Sequence, residues 1–208
     1  EIGWLPLLLT QSGNSKIQLG APGYFEASQF LVKLEIPGVI DRSLGDVHAS
    51  GNPHVHLDPR NIAKVADALA ERLVQLDPGN ADAYKARASS FGERWRAATS
   101  RWEREAARLR GVPVVVYHKD MSYFLNWAGM REAGSLEPKP GLPPTPAHLA
   151  ELVERMKREP AKAVIYSAYN SPRAAEFLSE RAKIPAMCPH GGTARPPTAP
   201  TDSTLIHG

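Results

Sequence analysis

At 208 residues, with 42% hydrophobic and 23% charged side chains, the chain has the composition of a folded protein of one large domain or two small lobes, and not of a disordered polymer. Its formal net charge of +3 comes from acidic and basic residues mixed along helical stretches, a solvated surface without the segregated basic face of a nucleic-acid binder. One cysteine, Cys188, excludes an internal disulfide framework, and the longest apolar run, Trp4 to Leu9, is broken by Pro6 and falls short of the ~18 residues that span a membrane.

Glu1-Ile2-Gly3-Trp4 carries neither an initiator Met nor the basic-then-apolar pattern of a signal peptide, so a removed leader or a fragment is expected. Residues 1–20 read as a short amphipathic helix, then polar Gln11 to Ser15, then a strand-like Lys16-Ile17-Gln18-Leu19. Residues 21–45 mix apolar positions with Gly and Pro, as loops around short strands do. Gly45 to Pro59 holds three histidines: His48, His54 and His56. Asp58-Pro59 opens a helix, with Asp58 as its cap and Pro59 at the first helical position, where a missing N–H costs nothing. Ile62, Val65, Ala66, Leu69, Leu73 and Leu76 then recur on one helical face up to Asp77-Pro78-Gly79.

A second helix is expected from Ala81 to about Arg110, with Tyr84, Phe91, Trp95, Trp102 and Leu109 on one face as packing residues. Val112 to Tyr117 is a continuous β-branched run, the mark of a strand buried on both faces. Ser122 to Gly129 reads as a short helix, Pro138 to Pro146 as a proline-rich connection, and Thr145-Pro146 as the start of another helix. Strands at Ala163 to Tyr166 and Ile184 to Met187 flank a helix begun by Ser171-Pro172. Alternating strands and helices with short connections predict an α/β fold with a mostly parallel sheet. From His190 to Gly208 the apolar periodicity fails, and irregular chain is expected.

Neutral imidazole suits zinc and similar ions, so histidines near carboxylates suggest a metal site. In an extended segment His54 and His56 would point to the same side, with Asp58 in line as either a ligand or the helix cap. His118 lies just past the Val112–Tyr117 strand, where open α/β sheets place ligands, and Tyr123-Phe124 would wall its pocket; the plainer alternative is a hydrogen bond to the next helix. A metal-dependent hydrolase using His54 and His56 is one reading. No nucleophile elbow, phosphate-binding loop or dinucleotide fingerprint occurs, and Cys188 reads as a structural thiol.

Four segments resemble the zinc-binding solute-binding proteins of bacterial ABC importers, in the zinc and manganese uptake group (cluster A-I). Glu1 to Leu5 resembles that family's E-x-W-L segment, and Asn52-Pro53-His54-Val55-His56-Leu57-Asp58-Pro59 its N/D-P-H-x-W-x-D-P motif. His118 with Tyr123-Phe124 resembles its H-x4-Y-F, and Lys183-Ile184-Pro185 with Gly191-Gly192-Thr193 the approach to its last ligand. The resemblance implies two α/β lobes joined by a long backbone helix, with the metal in the cleft between the lobes. On this chain that becomes 1–80 for the remainder of an incomplete N-terminal lobe, 81–110 for the linking helix, 111–190 for the C-terminal lobe and 191–208 for an irregular tail.

It implies His54 and His118 as metal ligands; His56, a departure from the family's Trp, is read with His48 as accessory. A histidine at position 118 points to Zn2+ over Mn2+, for which the family uses a carboxylate. The family's first histidine falls before Glu1, and its last carboxylate follows Gly191-Gly192-Thr193, in a tail that departs from the pattern. The implied function is extracytoplasmic capture of zinc and its delivery to an ABC transporter permease, without catalysis or catalytic residues. The expected protein is a monomer in the periplasm or lipid-anchored, peripheral to the membrane and without a nucleic-acid partner. A metal-dependent adhesin remains the alternative on the same fold.

Overall fold

The computed structural model describes residues 4–38, 45 and 48–189. The expectations for Glu1 to Gly3 and for the tail from His190 lie outside the described residues. The chain divides into two compact units, one of Glu1–Ile40, Val47–Arg110 and Asp120–Gly129, the other of Asp41–Asp46, Gly111–Lys119 and Met130–Gly208.

The first unit begins with α1 (Trp4–Gln11), which ends before Gly13 at φ +62°. The strand expected at Lys16–Leu19 is instead a single 3-10 turn over Ser15–Ile17. Asn14 accepts a hydrogen bond from Lys16 N at 3.0 Å, and Lys16 O receives Gly23 N at 2.9 Å, so local bonds satisfy a run too short to pair. The short strands expected in 21–45 are likewise absent among the described residues, where Ala27–Phe30 forms another 3-10 turn. Arg72 fastens this segment, donating to Pro22 O and Tyr24 O at 2.7 Å each.

Helix α2 (Pro59–Leu76) starts as expected, with Asp58 Oδ1 accepting from Arg60 N at 2.9 Å and Pro59 at the first position. It packs along α3 (Ala81–Ala106), whose 26 residues span roughly 39 Å at 1.5 Å per residue and end in a 3-10 turn, Ala107–Leu109. The aromatic face of α3 is a packing ladder. Phe91 stacks on Trp95 at 5.5 Å between ring centroids, and Trp95 meets Trp102 edge-on at 5.4 Å. Trp95 Nε1 also donates to Pro59 O at 2.8 Å, tying the ladder to the start of α2. Helix α4 (Ser122–Ala128) belongs to this unit and stops at Gly129, whose φ of 68° supplies the left-handed cap.

The second unit is a parallel four-stranded sheet in the order β2-β1-β3-β4, with helices α5 (Pro146–Arg158) and α6 (Arg173–Ala182) packed on each other. The central strand β1 (Pro113–Val116) is buried through Val114, Val115 and Val116, as a β-branched run requires. Strand β3 (Ala163–Ile165) is buried along its length, and β4 (Ala186–Met187) is only two residues long, shorter than the expected Ile184–Met187. Its core joins Val115, Val164, Leu136, Leu152, Met156, Leu178 and Ile184.

Strand β2 (Arg131–Ser135) was not expected from its sequence. Arg-Glu-Ala-Gly-Ser has no β-branched or aromatic residue, so its strand state is imposed by pairing with β1. At Gly134 a Cβ would come within 2.9 Å of Leu152 Cδ2, so a side chain there would have to displace the end of Leu152. Among the described residues, every strand of the molecule lies in this unit.

Candidate metal-ligating histidines

The stretch Asn52 to Asp58 is a pair of tight turns, not the extended segment expected. Asn52 Oδ1 accepts from His54 N at 2.9 Å, Val55 N donates to Pro53 O at 2.8 Å, and Val55–Leu57 winds as a 3-10 turn. An asparagine before proline favours this side-chain-to-backbone closure. His54 and His56 therefore do not line one face of a strand. Their ring centroids are 6.4 Å apart at 50°. Two imidazoles on one tetrahedral zinc, with Zn–N of ~2.0–2.1 Å, bring their centroids to roughly 5 Å, closer than this pair stands. His56 is exposed and His54 half-buried.

Asp58 is the helix cap. It is 5% exposed, and beyond the cap both its oxygens bind the Arg60 guanidinium, with Nη2 at 2.7 Å from Oδ2 and Nε at 3.0 Å from Oδ1. Those hydrogen bonds raise the Arg60 pKa above its ordinary range.

Around His54 the polar groups form a chain whose hydrogen-bond directions are determined by chemistry. The Glu35 carboxylate only accepts, so the Asn52 amide turns its Nδ2 to Glu35 Oε2 at 2.7 Å and its Oδ1 to His54. Oδ1 then stands 2.9 Å from His54 Nδ1, which must carry the ring proton and leave the lone pair of the neutral imidazole on Nε2. Ser122 holds the other Glu35 oxygen at 2.9 Å. Tyr123 is a core anchor of the first unit. It is 1% exposed, and its hydroxyl donates to Asn52 O at 2.9 Å and accepts from Leu34 N at 3.0 Å. Burial raises its pKa, with the Glu35 charge adding to the rise.

In the second unit His118 lies two residues past β1, its side chain 23% exposed, with Nδ1 2.7 Å from Glu137 Oε2. A carboxylate partner again places the proton of the neutral ring on Nδ1 and the lone pair on Nε2. Tyr117 beside it has its pKa raised, first by burial and then by the Glu137 charge. His48 is half-buried, its carbonyl accepting from Gly51 N at 3.0 Å. Among the described residues no three His, Cys, Asp or Glu side chains cluster as a metal centre. Sequence reading missed Asn52, Glu35 and Glu137 as partners of these histidines. Only Asn52 left a signal, the Asn-Pro-His turn pattern.

The fold is shared with solved structures. It matches the laminin-binding adhesin (Lmb) of Streptococcus agalactiae at TM-score 0.63 and 21% identity, over 82% of this chain and 64% of that one. A crystal structure of ZnuA matches at TM-score 0.65 and 20% identity, over 77% of this chain and 60% of that one. At such identities the likeness is one of fold.

The family model described as zinc-uptake complex component A, periplasmic, matches residues 4–203, and the chain belongs to that family. The high-affinity zinc uptake system protein ZnuA of Brucella abortus (strain 2308) is 28% identical over 130 residues, 62% of this chain and 39% of that protein. The zinc-binding lipoprotein AdcA of Streptococcus pneumoniae (TIGR4) is 22% identical over 185 residues, 87% of this chain and 36% of that one. The chain thus spans under two fifths of the length of these curated relatives.

Proposed function

We propose that this chain captures zinc outside the inner membrane and hands it to the permease of an ABC importer, with His54 and His118 as ligands and His56 and His48 as accessory groups. The observation that carries the reading is the family match across residues 4–203, whose relatives are named for zinc uptake and zinc binding. Chemistry supports it at the two ligands: His54 and His118 each have Nδ1 at an oxygen acceptor, which puts the metal-binding lone pair on Nε2. The protein acts as a carrier, in the periplasm or held by a lipid anchor, and zinc is its cargo. Among the described residues no helix is long and apolar enough to cross a membrane. The hydrolase alternative needed His54 and His56 side by side on a strand, and the turn removes that support. The adhesin alternative has a likeness of fold alone.

Calorimetric zinc titration tests the proposal. His118→Ala should weaken binding more than His48→Ala, and zinc should bind without turnover of ester or amide substrates. Equal affinities for the two variants would sink the ligand assignment.

A further inference from the structure

We propose that Glu137 is a positioning residue for His118, holding the imidazole with its proton on Nδ1 so that the Nε2 lone pair is the one presented. This rests on the reading of His118 as a zinc ligand. The arrangement originates in the pairing of β1 with β2. Pro113 and Val114 pair with Arg131 and Glu132, but Val115 and Val116 pair with Gly134 and Ser135, so Ala133 is an extra residue in β2. Carried past the strand ends, this shifted register sets His118 beside Glu137, and Glu137 N donates to Tyr117 O at 3.2 Å. The unshifted register would set His118 beside Leu136, whose side chain is fully buried in the core. The bulge therefore turns a carboxylate toward the imidazole where an apolar residue would otherwise stand.

The carboxylate is itself held. Glu137 Oε2 accepts from Gly141 N at 2.9 Å as well as facing His118 Nδ1 at 2.7 Å, and its side chain is only 12% exposed. A carboxylate behind a metal-bound imidazole fixes ring orientation and raises the donor strength of the opposite nitrogen, and losing such a partner typically costs about 10–100-fold in metal affinity.

The test reads the ring directly. In metal-free protein labelled with nitrogen-15 at histidine, at about pH 8 where imidazole is ordinarily neutral, two-bond nitrogen–proton correlations report which nitrogen of His118 carries the proton. The wild type should show Nδ1–H. Glu137→Leu, which has no acceptor, should shift His118 toward Nε2–H and weaken zinc binding about 10–100-fold in chelator competition. Glu137→Gln, whose amide oxygen still accepts, should keep the Nδ1–H form and lose less affinity. A wild-type His118 carrying its proton on Nε2 overturns the proposal, and that measurement decides alone if Glu137→Leu does not fold. So does a folded Glu137→Leu with the tautomer unchanged. A tautomer shift with unchanged zinc affinity upholds the positioning role and overturns His118 as a ligand, which separates the two readings.

Discussion

Asn52 is 6% exposed, and every polar group it carries is engaged within the first unit. Its side chain links Glu35 to His54, its N–H donates to Leu34 O at 2.8 Å, and its carbonyl receives the Tyr123 hydroxyl. Glu35 stands at φ 54°, a left-handed conformation that costs a side-chain-bearing residue roughly 1–3 kcal/mol and persists only where its surroundings hold it. Ser122 and Asn52 are part of that hold. Asn52→Ala leaves Glu35 and the His54 ring each short of a partner and should lower stability by about 1–3 kcal/mol. Urea unfolding measures this, and a midpoint matching the wild type would show that the chain of bonds adds nothing. The Asn-Pro-His turn could be read from adjacent residues, whereas Glu35 lies 17 positions from Asn52 and is joined to it only by the folded backbone.

At the scale of elements, helix starts and stops follow local chemistry. Asp58 before α2, Thr145 before α5 and Gly129 after α4 all act where their residue types predict. The junction of α2 and α3 adds a charged example. Asp77 Oδ2 accepts from Asn80 Nδ2 and from the Tyr84 hydroxyl, each at 2.8 Å, and those bonds lower its pKa below the ordinary 3.8. A carboxylate with a depressed folded pKa adds stability that is complete above its unfolded value and lost as pH falls through the folded one. Acid unfolding followed by circular dichroism should therefore show wild type and Asp77→Asn converging at pH values below about 3.8, with the wild type the more stable above it. Parallel curves throughout would remove Asp77 from the junction. Three of the misread elements, at residues 16–19, 54–56 and 131–135, share one cause. Each is short, and its state was set by a neighbouring turn or a strand distant in sequence.

Over the whole molecule the buried apolar side chains concentrate in the second unit, where Val114, Val115, Val116, Val164, Leu136 and Leu178 are all at 0–1% exposure. In the first unit Trp4 is 61% exposed and Leu8 54%. Amide hydrogen exchange should follow this distribution, slowest in β1 and β3 and fastest in α1 and the turns up to Leu34, because protection tracks local burial. Faster exchange in β1 than in α1 would contradict it. The sequence alone determined the family, the α/β class, the capped helices, the long α3 and the buried β1, since each is written in neighbouring residues or in periodicities of a few positions. It also singled out His54 and His118. What surrounds those two rings was decided only in three dimensions. A one-residue bulge in a strand without strand-forming residues sets Glu137 against His118, and a strained Glu35 reaches Asn52 and through it His54. Local pattern encodes which groups a segment offers, and register and chain packing encode which groups meet.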